Sequence, residues 1–590
     1  MQRGHFPKRY FSIPDFAILL LMATLIYGVF AIANEWQSDF HPVTQIDLSF
    51  RFLPYYTLLS AARGVVAYLI SLVFTLVVGY AAAKSKSAEK VIIPLLDILQ
   101  SIPVLGFLPG LLLGLVSLFP NTNIGLELAA IIMIFTGQVW NMTFSYYSSL
   151  KSVPLDLHEA STIMGLNWRQ KLTRVELPYS AVNLAWNSLL SMAGGWFFLI
   201  PCEAMTLGER EYRLPGIGAY MDVAIKQGNN RAIAMAVIAM VLLIVLMDFA
   251  IWRPILSWVQ KFRLEQVAGV APTEPLMQIW IRESKIVRWI TLSYRHFIWK
   301  RRHRNPTHTL WVGQLEDLVR NKSPKLHQWV LKVKTTGYSS LVSGALEKFF
   351  FVAALVFVSY GAFQLLRVLM RVSPATWIVL IRDTLWTFLR VTLALTISTL
   401  WAVPVGIWIG TSQKRIRFAQ PIIQVLASFP APMLYPVALG LFFTLGISFD
   451  WGSMFLMLLG VQWYVLFNVL AGAMRVPQEL NYALALMKAS RWDRWKTLYL
   501  PSVFPPLVTG WITAAGGAWN ASVVAEYIYY QGTILKTGGL GASLSVATSN
   551  ENFPLFAASL TLMVSVVILL NRLVWSRVYR LAQTRFRMEI

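Results

Sequence analysis

The chain has 590 residues, 56% of them hydrophobic and only 13% charged, which is about half the usual charged share. With a mean hydropathy of +0.56, that composition excludes a soluble globular protein of this size. The net charge of +23 does not indicate nucleic acid, because the basic residues form no recognisable binding module and gather in loops between apolar runs.

Several runs of roughly 20 apolar residues are long enough to cross a hydrocarbon core of about 30 Å as helices. In the first half, spans are predicted near 15–34, 62–83, 91–119, 126–147, 180–201 and 231–251. In the second half they are predicted near 349–370, 384–410, 419–446, 453–474, 503–525 and 554–574. The first span has a rival reading. His5, Lys8 and Arg9 precede an apolar run ending Ala31-Ile32-Ala33, which resembles a signal-peptide cleavage site. An uncleaved helix is preferred, because a span occupies the matching place in the second half. The third span of each half is interrupted by proline, at Ser101-Ile102-Pro103 with Pro109 and at Ser428-Phe429-Pro430 with Pro432 and Pro436. Proline lacks the backbone donor and kinks a helix.

Lysine and arginine set the orientation. Lys8 and Arg9, then Lys84, Lys86 and Lys90, then Lys151, Arg169, Lys171 and Arg174 place alternate loops inside. The run Lys300-Arg301-Arg302-His303-Arg304 and the C-terminal Arg572, Arg577, Arg580, Arg585 and Arg587 join them. Both termini are therefore expected in the cytoplasm. The segment 253–347 between the halves is punctuated by Pro272, Pro275, Pro306 and Pro324. It suits an amphipathic helix on anionic lipid or a solvated tether, and the two are compatible. The single cysteine, Cys202, allows no intramolecular disulfide, and the seven histidines have no metal spacing, His303 and His327 being solvated.

Internal repetition decides the architecture. Val153-Pro154, Glu159-Ala160-Ser161, Gly165, Val175 and Leu177-Pro178 recur 323 residues later. The second copy reads Val476-Pro477, Tyr482-Ala483-Leu484, Lys488, Leu498 and Leu500-Pro501. Glu203 pairs with Glu526 in the same register, and Gly216-Ile217-Gly218 with Gly539-Leu540-Gly541. Glycine pairs Gly194-Gly195 and Gly516-Gly517 lie inside the fifth spans. They suit close helix packing or a pore lining. Acidic groups near spans tend to face water, a partner or a pathway. Glu203 and Glu526 are thus expected at an outer mouth, with a salt bridge at the interface as the bland alternative. The span cores are otherwise expected to be nearly free of charge. Trp140, Trp196, Trp463 and Trp519 are expected as belt or packing residues.

The first copy resembles the EAA loop of ABC-importer permeases, which runs Glu-Ala-Ala, three residues, Gly, nine residues, Ile, one residue, Leu-Pro. The second copy departs from it at Tyr482 and Lys488. The glutamate and Gly-x-Gly elements resemble the nitrate/sulfonate/taurine/bicarbonate branch of those permeases. The resemblance implies an all-α polytopic fold of about twelve transmembrane helices, as two homologous six-helix type I (MetI-like) domains. It divides the chain into a first domain, 1–252, with its loop at 150–178, a linker, 253–347, and a second domain, 348–590, with a degenerate loop at 475–501.

The implied coupling residues are Glu159, Ala160, Ser161, Gly165, Leu177 and Pro178, with Tyr482, Ala483, Lys488, Leu500 and Pro501. Glu203, Glu526, Gly194, Gly195, Gly516 and Gly517 are the pathway or gate expectations. The implied partners are two ATPase subunits, which hold ATP and Mg, and an extracytoplasmic substrate-binding protein. The location implied is a bacterial inner membrane. The chain carries no Gly-x-x-x-x-Gly-Lys-Ser/Thr loop and no catalytic or metal constellation, so no cofactor and no enzymatic activity are expected of it. The alternative is a secondary transporter with two related halves, which would leave the loop unexplained.

Overall fold

The computed structural model describes residues 40–207, 210–262, 359–476 and 478–585, with isolated positions at 16–36, 284 and 356. Most of the first predicted span, the linker beyond residue 262 and the start of the span near 349–370 lie outside the described residues. So do Lys8, Arg9, Ile32, the run 300–304, His327, Pro477 and Arg587. Ala31 and Ala33 are helical. The chain divides into two units. One joins Met1–Ala23 with Glu274–Arg371, and its described part is chiefly helix over 359–369. The other joins Thr24–Thr273 with Val372–Ile590 and holds both repeats.

In that second unit each half contributes eight principal helices in the same order. The first half has α1 Leu53–Lys84, α2 Lys86–Ser101, α3 Val104–Leu118 and α4 Ile124–Lys151. It continues with α5 Leu155–Ile163, α6 Leu177–Phe197, α7 Ile217–Lys226 and α8 Asn230–Met247. The second half has α9 Pro374–Gly410, α10 Gln413–Ser428, α11 Ala431–Thr444 and α12 Phe449–Met474. It continues with α13 Gln478–Leu486, α14 Leu500–Ala525, α15 Leu540–Ser549 and α16 Phe553–Leu570.

Local chemistry explains the boundaries. A proline in the first turn opens α1, α6, α9, α14 and α16, where its missing N–H costs nothing. Ser85 ends α1 in an extended conformation and caps α2 by accepting from the Ala88 N–H. The third spans break where expected. Ile102 and Pro103 are extended and bend α2 against α3 by 96°, and Phe429-Pro430 bends α10 against α11 by 88°. Proline disfavours the helical region for the residue before it. Pro109 and Pro436, also expected to interrupt, lie inside continuous helix.

Among the described residues, six helices are long and apolar enough to cross a membrane, and the two bent pairs make eight. The fifth spans, α6 and α14, are less apolar. Asn183, Asn187, Ser188 and Ser191 mark α6, which protein rather than lipid can surround. These ten elements match ten of the predicted spans. The protein is an all-α polytopic membrane protein with one local departure per half. After each fifth span a four-residue hairpin forms, β1 Ala204–Leu207 with β2 Arg210–Arg213, and β3 Tyr527–Tyr530 with β4 Thr533–Lys536.

The two halves exchange their broken spans. The core of the first half, with Met192, Trp196, Met247 and Trp252, packs against Met433 of α11 and Val425 of α10. Reciprocally, a Cβ at Gly106 of α3 would meet Leu560 of α16 at 2.4 Å. The Val104 N–H at the start of α3 donates to Asn520 Oδ1 of α14 at 2.7 Å.

Candidate functional site

Two short helices, α5 and α13, occupy corresponding loops. Pro154 precedes α5, and Asp156 stands in its first turn, where negative charge complements the helix N-terminus. Glu159 is exposed, Ala160 half-buried and Ser161 buried, with its hydroxyl donating to the His158 carbonyl at 2.6 Å. Gly165 then turns the chain at φ +63°, with its N–H on Thr162 O and the Leu166 N–H on Ser161 O. This is a helix stop that favours glycine. Lys488 takes the same shape at φ +54°, with the Ala489 N–H on Leu484 O. Tyr482 and Ala483 are exposed like Glu159.

Each loop continues through a capping box, Asn167 with Gln170 and Ser490 with Asp493. A π-helical turn then leads into Leu177-Pro178 of α6 or Leu500-Pro501 of α14. The Ser490 hydroxyl and N–H hold the Asp493 carboxyl below the usual carboxylate range. Burial, then Lys171 and Lys84, lower the His158 imidazole. Lys84 at the end of α1 also pairs with the buried Glu176, fastening the first loop to α1. The tips carry exposed apolar side chains in register. Ile163 and Met164 are 86% and 74% exposed, and Leu486 and Met487 are 85% and 78%.

At the opposite ends of these helices, Glu203 and Glu526 each sit in a buried ion-pair node. Both carboxylates are fully buried and ion-paired, the salt-bridge alternative rather than an open mouth. Arg63 donates through Nε and Nη2 to Glu127, both at 2.7 Å, and through Nη1 to Glu203 at 2.8 Å. All three side chains are fully buried. Ser60 donates to Glu203 at 2.6 Å and the Gly218 N–H at 2.7 Å. In the second half Arg390 donates to Glu526 at 2.9 Å, joined by Thr387 at 2.8 Å and the Gly541 N–H at 2.9 Å. There the third member, Asp450, is 70% exposed and stands 3.8 Å from Arg390, while Thr537 bonds to both.

The expectation of nearly charge-free cores therefore fails, because these charges neutralise one another inside the protein. The Gly-x-Gly elements are explained by close approach. A Cβ at Gly216 would lie 2.1 Å from Glu203, and one at Gly539 2.3 Å from Glu526. Sequence reasoning missed both arginines. Arg63 and Arg390 lie 327 residues apart, not 323, as do Ser60 and Thr387. Four fewer residues separate Pro430 from Asp450 than separate Pro103 from Glu127. Following the proline pair's register back along the chain would have found them.

A cavity of about 180 Å³ lies between the halves, lined by α4, α6, α12 and α14, the α2–α3 break and the end of α16. Gly194, Gly516 and Gly517 line it. Gly195 does not. A Cβ there would stand 2.6 Å from Gln138, so Gly195 serves close packing. Trp519 lines the cavity wall while almost fully buried, and Trp196 is buried against Gly64. Trp140 also lines the cavity, beyond its expected packing role.

A duplicated helical core, a central cavity and paired exposed loops define a pseudo-symmetric transport protein of the membrane. The family described as "Binding-protein-dependent transport system inner membrane component" matches residues 75–251 and 402–587, more than half of the chain. The chain belongs to that family and carries two copies of its domain. Among its relatives, the nitrate import permease protein NrtB of Leptolyngbya laminosa is 28% identical over 152 residues, 26% of this chain and 50% of that protein. The taurine transport system permease protein TauC of Escherichia coli is 31% identical over 163 residues, 27% of this chain and 56% of that protein. The bicarbonate transport system permease protein CmpB of Synechococcus elongatus is 24% identical over 149 residues, 25% and 51% respectively. The chain spans about half the length of these relatives.

Proposed function

We propose that this chain is the permease of an ATP-binding-cassette importer, with both halves of the translocation pathway in one polypeptide. Separate ATPase subunits dock on α5 and α13, and ATP hydrolysis belongs to them. A binding protein delivers the solute to the opposite face. The observation that carries this reading is the pair of exposed helices, α5 and α13, with matching glycine-type stops and apolar tips. A capped turn and then a π-turn connect each to a central helix, α6 or α14, that lines the cavity. Movement of the tip is thereby passed to the cavity wall.

Glu159, Ala160, Ser161, Gly165, Leu177 and Pro178 form the first coupling element. Tyr482, Ala483, Lys488, Leu500 and Pro501 form the second. The lysine and arginine bias supports a cytoplasmic position for these loops, both termini and the segment 253–347. The named relatives favour a small oxyanion, a sulfonate or a related organic solute. Uptake by the chain with its ATPases and binding protein in liposomes tests the reading. Uptake should require ATP and persist when ion gradients are collapsed. Uptake driven by an ion gradient without ATP would replace it with the secondary-transporter alternative.

A further inference from the structure

The pseudo-two-fold relation predicts two equivalent cavities, and they are not equivalent. The first, of about 180 Å³, is walled by Gln100, Thr136, Asn141, Thr513, Asn520 and Asn571 on its polar side. Its symmetry mate is about 30 Å³. There Ala427 stands for Gln100, Tyr464 for Asn141, Leu190 for Thr513 and Phe197 for Asn520. The mates of the α16 wall are Met247, Asp248 and Trp252, all buried, the first and last within the core of the first half. Phe197, Gly460 and Tyr464 line both recesses, and the polar residues Gln100, Thr136, Asn141, Thr513 and Asn520 of the larger one have the aliphatic or aromatic mates Ala427, Leu459, Tyr464, Leu190 and Phe197.

Among the described residues, no acid or base lines the larger cavity, and its polar groups are amides, hydroxyls and indoles. The Asn141 and Asn571 side chains make no hydrogen bond to other described residues. Asn520 spends its amide within the wall, accepting from the Val104 N–H at 2.7 Å and donating to Gly516 O at 3.2 Å. The volume lies below the roughly 300–1,000 Å³ of sites for drug-sized ligands, which limits an occupant to a few heavy atoms. Neutral N–H and O–H donors without a carboxylate suit a solute that offers only acceptor oxygens. Without a full positive charge they hold it weakly enough to release it, as a conduction pathway requires.

We propose that this cavity is a single, one-sided resting site for a small oxyanion or sulfonate in transit, with Asn141 and Asn571 as free donors to it. This deepens the importer reading and rests on it. The test uses the chain assembled with its ATPases and binding protein in liposomes, with nitrate and methanesulfonate as probes, both of which offer only acceptor oxygens.

Asn141→Asp keeps the shape and adds a repelling charge, whereas Asn141→Ser keeps a neutral donor. The first should lower initial uptake by roughly tenfold or more, and the second by no more than about twofold. Ala427→Leu, which fills the smaller recess, should leave uptake within about twofold. If Asn141→Asp fails to assemble, Asn571→Asp against Asn571→Ser makes the same comparison. Equal uptake by the aspartate and serine variants would overturn the site. A loss from Ala427→Leu as large as that from the aspartate variant would overturn its one-sidedness. Failure of the unmodified complex to carry either probe would overturn the oxyanion or sulfonate assignment, and gradient-driven uptake without ATP would overturn the importer reading beneath it.

Discussion

Lys488 keeps a backbone shape that its counterpart Gly165 meets without strain, at φ +54° against +63°. A left-handed residue with a Cβ costs roughly 1–2 kcal/mol, partly offset because glycine loses more freedom on folding. Lys488→Gly should therefore raise stability by up to ~1 kcal/mol. Gly165→Ala should lower it by a similar amount. Thermal midpoints at one scan rate check both, and a fall for Lys488→Gly would refute the account of that turn. The arginine nodes give a second test. Arg63→Ala strands two buried carboxylates, which costs roughly 3–5 kcal/mol. Arg390→Ala should cost less, because Asp450 already reaches solvent. The yield of folded protein and its thermal midpoint measure the difference, and equal losses would count against it.

Between residue and molecule, the loops α5 and α13 share geometry and differ in charge. Glu159 is an exposed acid, whereas Tyr482 stands near Lys488, Arg491, Arg494 and Lys496. A further positive charge there changes little. Glu159→Lys should therefore abolish most substrate-stimulated ATPase activity in liposomes, and Tyr482→Lys only a minor part. Equal loss from both would remove the asymmetry between the loops. Element by element, the chain was largely legible. The breaks at Pro103 and Pro430 follow from proline chemistry alone, and the loops that carry α5 and α13 stand out by their repeated spacing. The hairpins after Glu203 and Glu526 were not legible. Their strands have four residues each, too short for a period-two pattern to stand out. The carboxylates themselves were found by sequence but misplaced, because their arginine partners lie about 140 residues away on other helices.

For the whole molecule, duplication supplies the frame and divergence supplies the difference. Both halves keep an arginine–carboxylate node, a broken third span and π-turns in register. They differ in the cavity wall, in the exposure of Asp450 and in the charge of the loops that carry α5 and α13. In a pathway built from one chain each half meets the other and not a copy of itself, so the two are free to diverge in this way. The central claim is that one chain makes one pathway driven by two ATPases. Native mass spectrometry of the complex, extracted gently from its own membrane, tests it most directly. The account predicts two ATPase subunits for each single 66.7 kDa chain. A complex without any ATPase, still transporting in liposomes without ATP, would contradict it.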